Sequence, residues 1–389
     1  MVDDKNAQPL LAGLFFSEMA MSNKIKKNVT VSISNHCNMD TIAKGCSYCC
    51  IQNRNTSPVL SLEKIESFIL NELKDEDVAF FEFFGGEPTL HFDTIKSVVD
   101  KFKFKYRMYT NGLFDFDIWK DILYCFDEVS FSIDGFGKFN SKRGIGNNSY
   151  VTNTCLSNIS NSLSYGIPVT VAIVPSTEEH YDNLEFIFSD FLSMGVRSFS
   201  LEIPSVIQDE FINKKFSKIH LNKIVEFFFG FVVEKFTEGD IDEMFLLNIP
   251  KEHYPGQANN APCSETNIAL SPRGNTYHCR DTSANEEKLF SVSQINFYSN
   301  LNEIKKIEKD HTCHVKVLQG YGYDSVVDSD NELEVRLMYR TIAIMNSYYR
   351  NYIDENYSKC KEDLNLIRTF LVLYNSYMEK KLNAEGKIF

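Results

Sequence analysis

The sequence predicts an α/β fold in which a parallel sheet is covered by helices. Between about residues 28 and 203, short runs of β-branched or aromatic residues alternate with stretches whose apolar residues recur at helical spacing. A cysteine-bearing segment follows the first of these runs, and a glycine pair follows the second. Because the loops at the carboxyl ends of parallel strands carry the functional groups of such folds, both segments are expected at one edge of the sheet.

Six segments are predicted to be strands: Asn28–Ser34, Val78–Phe84, Lys103–Tyr109, Glu128–Ile133, Pro168–Val174 and Arg197–Ile203. The stretches between them are predicted to be amphipathic helices, the first of which has its apolar face at Leu62, Ile65, Ile69 and Leu73. Residues from about 205 to 260 are predicted to be a helical connection with a core helix at Phe227–Val233, and residues 332–382 a helical tail.

Composition narrows the class of protein. The chain of 389 residues has 43% hydrophobic and 24% charged residues, which is typical of a globular protein of two or three domains. A net charge of -13 argues against a nucleic-acid partner. The amino terminus lacks the pattern of a secretory signal, and no apolar run has the length of a membrane span. We therefore expect a cytoplasmic protein whose ten cysteines bind metal or remain free thiols.

Three cysteines, Cys37, Cys46 and Cys49, follow the first predicted strand. Three thiolates hold three corners of a [4Fe–4S] cube and leave one iron open, whereas proteins that only carry electrons normally supply four. The cysteines alone also fit a structural zinc site, in which Cys46 and Cys49 act with Cys37 or His36. The adjacent Cys50 is expected to pack against other residues, because it points away from the same cube.

The cysteine segment, followed by Gly85-Gly86-Glu87-Pro88, resembles the radical S-adenosylmethionine (radical SAM) superfamily. The usual signature there is CxxxCxxC with an aromatic residue before the last cysteine, and Tyr48 matches that residue. The first gap holds eight residues instead of three, which we interpret as an insertion in the cluster loop. The resemblance implies a partial (β/α)6 TIM-like barrel, a [4Fe–4S] cluster, and reductive cleavage of S-adenosylmethionine to a 5′-deoxyadenosyl radical that abstracts hydrogen from a substrate.

The resemblance also assigns a cofactor loop. Gly85, Gly86, Glu87 and Pro88 correspond to the GGEP motif that receives the amino group of S-adenosylmethionine. Glycines allow the backbone to approach a ligand closely, and proline stiffens the exit from the turn. A side chain at Gly86 is therefore expected to weaken cofactor binding and to leave the cluster intact.

Four polar residues lie at or beyond the ends of the third and fourth predicted strands. Asn111, Ser132 and Asp134 occupy positions where this family contacts the ribose and the methionine moiety of the cofactor. Arg143 is expected to pair with the methionine carboxylate, because a guanidinium forms charge-assisted bonds to that group. Each of the four also fits an ordinary turn or surface position. The sequence names no catalytic acid or base.

A second cysteine region resembles the SPASM or twitch extension of radical SAM enzymes that modify peptides. Cys263 is followed after ten residues by Gly274 and after four more by Cys279, and residues 271–275 are predicted to form a hairpin turn between the two cysteines. Farther on the pattern is degenerate, since Asp310, Gln319 and Tyr323 replace cysteines around Cys313.

Too few thiolates remain in this region for two complete auxiliary clusters. Either one cluster forms from Cys263, Cys279, Cys313 and a fourth ligand such as Cys360, Asp310 or His311, or the extension keeps its fold without metal. The predicted domains are an N-terminal extension over 1–27, a radical SAM domain over 28–245, and a smaller α+β SPASM-like region with its helical tail over 246–389.

The favoured function is the modification of a ribosomally made peptide, as in a RiPP maturase that installs a crosslink or an epimerised residue. Formylglycine formation by a sulfatase maturase is the alternative, although that branch has aspartate where Arg280 follows Cys279. A non-catalytic iron–sulfur or zinc protein on the same fold is a third. Expected partners are a precursor peptide and a flavodoxin- or ferredoxin-type reductant, without nucleic acid or membrane.

Overall fold

The computed structural model describes residues 26–49, 51, 54, 57–201, 223, 227–246 and 267–277, which form one sheet with covering helices. The strands are β1 (Lys27–Ser32), β2 (Val78–Phe84), β3 (Tyr106–Thr110), β4 (Glu128–Ser132), β5 (Val169–Ile173), β6 (Ser198–Leu201), β7 (Glu243–Leu246), β8 (Asn267–Leu270) and β9 (Thr276–Tyr277). The helices are α1 (Met39–Ala43), α2 (Leu62–Asn71), α3 (Phe92–Lys101), α4 (Phe116–Leu123), α5 (Asn148–Ser164), α6 (Glu178–Asp182), α7 (Leu184–Ser193) and α8 (Val233–Glu238). Two 3-10 helices, Pro88–His91 and Gly137–Asn140, and a π-helical turn at Phe228–Val232 complete the described structure.

The sheet has the strand order β7-β6-β5-β4-β3-β2-β1-β8-β9. Every neighbouring pair is parallel except β8 and β9, which form an antiparallel hairpin. Consecutive strands from β1 to β6 are therefore neighbours joined by helical connections, which is the repeated βα arrangement. All six predicted strands are present, with ends that differ from the prediction by up to three residues, and residues 202 and 203 lie outside the described part.

The alternation of side chains along β1 shows how the strands are built. Val29, Val31 and Ile33 are fully buried and belong to the main hydrophobic core with α2 and its neighbouring helices, while Thr30 and Ser32 point to the other face. Helix α2 begins after Ser61, whose hydroxyl accepts a hydrogen bond from the backbone N–H of Lys64. The apolar face of β1 therefore packs in the core with the helices, and its opposite face carries Thr30, which donates to Glu82 at 2.9 Å.

Two parts of the sheet differ from the sequence prediction. Strand β7 lies in the segment expected to be helical, because a run of four residues is too short for periodicity to separate a buried strand from a helix. The predicted hairpin turn is confirmed, since the N–H of Ser271 donates to the carbonyl of Asn275 at 2.8 Å. Its first strand, β8, pairs with β1, so part of the C-terminal region extends the main sheet.

Several predictions fall outside the described residues. These include the N-terminal extension, Cys50, the helical tail and the four candidate auxiliary ligands Cys263, Cys279, Cys313 and Cys360. The domain boundaries stay predictions for the same reason. None of the described helices combines the length and apolar character needed to cross a membrane.

Candidate functional site

The loop after β1 carries the three predicted cluster cysteines, and its eight-residue gap is folded. Helix α1 occupies the middle of the gap. It is capped at its C-terminal end by Lys44, which adopts a left-handed conformation with φ of 58°. Met39 and Ala43 are buried in a small apolar cluster with Leu113 and Val151, against which Cys37 and Cys46 also pack. The inserted residues therefore form a compact turn that brings the first cysteine back beside the second.

A second segment holds Cys46 and its two neighbours in place. Cys46 forms an isolated antiparallel bridge with Arg143. On either side, the N–H of Gly144 donates to the carbonyl of Gly45 and the N–H of Ser47 donates to the carbonyl of Lys142, both at 3.0 Å. The cysteine loop is thus paired with the loop that precedes α5.

The three thiols lie within electrostatic reach of one another. The pKa of Cys46 is raised to about 11, mainly by burial; Arg143 lowers it and Cys49 raises it. The pKa of Cys37 is raised by burial, then by Glu87, and also by Cys46 and Cys49. Among the described residues, no three His, Cys, Asp or Glu side chains form a group that could hold one metal ion. Cube ligands bind separate irons and need no common point, so this finding is compatible with a cube held by the three thiolates.

The glycine pair after β2 packs directly on the cysteine loop. An ideal Cβ atom at Gly86 would lie 2.1 Å from the carbonyl oxygen of His36 and 2.3 Å from that of Asn35. The N–H of Gly86 donates to the carbonyl of Ser34 at 2.9 Å, and the N–H of Glu87 donates to the carbonyl of His36 at 2.8 Å. The absence of a side chain at Gly86 therefore lets the backbone of the glycine pair pack closely against the backbone of the cysteine loop.

The Glu87 carboxylate joins the ends of two strands. Its Oε1 accepts hydrogen bonds from the Thr89 N–H at 3.1 Å, the Thr89 hydroxyl at 2.7 Å and the Thr110 hydroxyl at 2.8 Å, while Oε2 accepts from the Asn111 N–H at 2.8 Å. Burial raises the pKa of Glu87, although these hydrogen bonds lower it. Pro88 begins the 3-10 helix that follows. Glu87 thus holds the strand ends together, and its predicted cofactor contact stays a prediction.

Asp134 is the centre of a buried polar cluster beneath the CxxC segment. Its Oδ1 accepts from Arg143 Nε and from the Val174 N–H, both at 3.0 Å, and its Oδ2 accepts from the Tyr48 hydroxyl. The Arg143 guanidinium carbon lies 5.3 Å from the centre of the Tyr48 ring. Tyr48, which stands between Cys46 and Cys49, is fixed by this cluster.

The geometry leaves Arg143, but not Asp134, with side-chain atoms available for the predicted cofactor contact. Asp134 is fully buried and both its oxygens are engaged, which favours a positioning role. The terminal nitrogens of Arg143 make no hydrogen bond to another described residue, so they remain suited to a carboxylate. Both assignments stay predictions.

Asn111 lies at the end of β3 and contacts the cysteine loop. Its Nδ2 donates to Asn38 Oδ1 at 2.7 Å and to the Cys37 sulfur at 3.7 Å. Ser132, at the end of β4, is half-buried, and no side-chain hydrogen bond joins it to another described residue. Sequence reasoning did not single out Asn38, for which the available signal was its place directly after the first cysteine.

Comparisons with known proteins agree with this architecture. The profile of the radical SAM superfamily matches residues 31–191. An uncharacterized protein of Methanocaldococcus jannaschii is 26% identical over 211 residues, which cover 51% of this chain and 71% of that protein. All three cysteines, the GGEP segment, Asn111 and Asp134 fall within the profile match.

Two solved structures are similar in fold. Streptococcus suis SuiB bound to the precursor peptide SuiA is 16% identical with a TM-score of 0.53, covering 85% of this chain and 73% of SuiB. The native anSMEcpe structure with bound AdoMet is 16% identical with a TM-score of 0.56, covering 84% of this chain and 99% of that protein. The predicted partial-barrel fold is confirmed, and residues 31–191 match the radical SAM superfamily.

Proposed function

We propose that this protein uses S-adenosylmethionine and a [4Fe–4S] cluster to modify a peptide or protein substrate. One observation carries the proposal: the cysteine loop and the GGEP segment are hydrogen-bonded to each other at the carboxyl ends of β1 and β2. That edge of a parallel sheet is where such folds bind ligands. A cofactor bound by the GGEP segment would therefore lie beside a cluster held by Cys37, Cys46 and Cys49.

The chain's own residues would position both groups. The chemistry supplied by the cluster and S-adenosylmethionine is one-electron reductive cleavage, which gives an oxidant able to abstract hydrogen from a substrate. The buried Asp134 keeps Tyr48 and Arg143 in place under the last two cysteines. The terminal nitrogens of Arg143 would bind the methionine carboxylate, and the half-buried Ser132 would reach a cofactor hydroxyl.

A peptide substrate is the second part of the proposal. SuiB was solved with a precursor peptide, and anSMEcpe was solved with AdoMet and a peptide. We favour a crosslink or an epimerisation over formylglycine formation, because Arg280 follows Cys279. A flavodoxin- or ferredoxin-type protein would supply the electron, and a reducing cytoplasm would protect an oxygen-sensitive cluster.

The test is 5′-deoxyadenosine formation by anaerobically reconstituted protein with dithionite and S-adenosylmethionine. Turnover in the wild type and its loss in Cys46→Ala are expected. A reconstituted protein that holds iron but forms no 5′-deoxyadenosine would support the non-catalytic alternative. If 5′-deoxyadenosine does form, mass spectrometry of a genomically neighbouring peptide would identify the bond formed.

Iron content tests the proposed auxiliary cluster. We expect one or two cubes per chain, because Asp310, Gln319 and Tyr323 stand where further cysteines are needed. About twelve irons, at about four per cube, would contradict this. If a second cube is present, Cys263→Ala and Cys279→Ala should each lose its iron and keep the first.

A further inference from the structure

Two asparagine side chains and the Leu113 backbone form a closed ring of hydrogen bonds beside Cys37, which we call the clamp. Asn111 Nδ2 donates to Asn38 Oδ1 at 2.7 Å, and Asn38 Nδ2 donates to the carbonyl of Leu113 at 2.9 Å. The Leu113 N–H in turn donates to Asn111 Oδ1 at 2.9 Å. The clamp thus joins the first residue of the eight-residue gap to the end of β3.

The clamp fixes which way the Asn111 amide faces. Its Oδ1 accepts from the Leu113 N–H, so the amide cannot be rotated by half a turn without placing two donors against each other. The Asn111 backbone is also fixed, because its N–H donates to the buried Glu87 carboxylate. Nδ2 donates to Asn38 Oδ1 at 2.7 Å and has a second hydrogen available for the Cys37 sulfur, which lies 3.7 Å away.

We infer that Asn111 is a positioning residue for the cluster, which donates an N–H···S hydrogen bond to the Cys37 thiolate and raises the reduction potential of the iron–sulfur centre. The inference rests on the proposed function in one respect, namely that Cys37 is a cluster ligand. Hydrogen bonds to cluster sulfurs are among the factors that set the potential, because reduction adds negative charge that the donor stabilises. Asn111 would act on the metal centre rather than on the cofactor hydroxyls that the sequence suggested.

A matched set of alanine variants separates this role from a structural one. Asn111→Ala removes the donor to sulfur, whereas Asn38→Ala removes the clamp and leaves that donor. Asn158 is the control, since its buried amide donates to the carbonyls of Gly112 at 2.8 Å and Phe114 at 2.9 Å in the same loop and makes no hydrogen bond to the sulfur of a described cysteine. Asn111→Leu is a second variant, which is similar in size and has neither a donor nor a charge, should the alanine variant fail to fold.

The experiment is a redox titration of the reconstituted proteins, followed by the electron paramagnetic resonance signal of the reduced cluster. We expect Asn111→Ala or Asn111→Leu to lower the equilibrium constant for one-electron reduction at least tenfold, which is about 59 mV. Asn158→Ala should match the wild type, and Asn38→Ala should shift the constant less than Asn111→Ala. Equal potentials in the wild type and the Asn111 variants would overturn the inference. A wild type that assembles no cluster would instead overturn the proposed function.

Discussion

A single methyl group at Gly86 should dismantle the cluster loop. The Cβ atom of Gly86→Ala would lie 2.1 Å from the carbonyl oxygen of His36, although real contacts of this kind are not shorter than 3.0 Å. That oxygen would have to retreat by at least 0.9 Å, the difference between the two distances. Because the neighbouring atoms belong to the backbone, no side-chain rotation can relieve the contact.

The cost can be estimated from the contacts that would be lost. Overpacking costs about 1 to 3 kcal/mol, and the two hydrogen bonds between the loops contribute about 1 kcal/mol each. We therefore expect Gly86→Ala to lose about 3 to 5 kcal/mol of unfolding free energy, which is the sum of these two costs. Cys37 directly follows His36, so iron binding should fall as well. This differs from the expectation from sequence that a side chain at Gly86 leaves the cluster intact.

Gly230→Ala is the matched control, because its nearest atom outside the helix is Glu185 Oε1 at 3.9 Å from the ideal Cβ position. Urea unfolding of the cluster-free proteins measures the stability, and iron content with visible absorbance after reconstitution measures the cluster. A Gly86→Ala protein as stable and as iron-rich as Gly230→Ala would refute the argument.

Three further predictions concern the same site. Cys49→Ala should abolish 5′-deoxyadenosine formation and Cys50→Ala should have a mild effect, and the reverse order of activities would show that Cys50 is the ligand. Asp134→Asn should lower the free energy of unfolding by about 3 kcal/mol, because it leaves the buried guanidinium of Arg143 without its counter-charge. An unchanged midpoint of urea unfolding would contradict this. In the cluster-free protein the pKa of Cys46 is raised from 9.0 to about 11, so the folded state holds this proton more tightly than the unfolded state. Stability should therefore fall as the pH rises from about 9 to 11, and Cys46→Ser should reduce that fall.

The sequence was most informative where a local pattern decides the structure. Strand β2 was predicted with both ends correct, because an apolar run bounded by a charged turn and a glycine pair has few alternatives. Contacts between distant residues were not predictable. Gly86 meets His36 and Asp134 meets Tyr48 only because the parallel sheet brings four loops to one edge. Residue type suggested a ligand for both, whereas their partners within the chain depend on the tertiary structure.

The pairing of β8 with β1 determines when the sheet can be completed during synthesis of the chain. Val29 lies beside Ile268, so the strand that leads into the cysteine loop gains its second neighbour only after most of the chain has been synthesised. Until then, one edge of β1 presents unpaired N–H and C=O groups, which are prone to pair with other chains. Loading of iron on the nascent protein would therefore take place on a strand with one open edge, and a shortened protein that lacks residues 267–277 would retain that edge permanently.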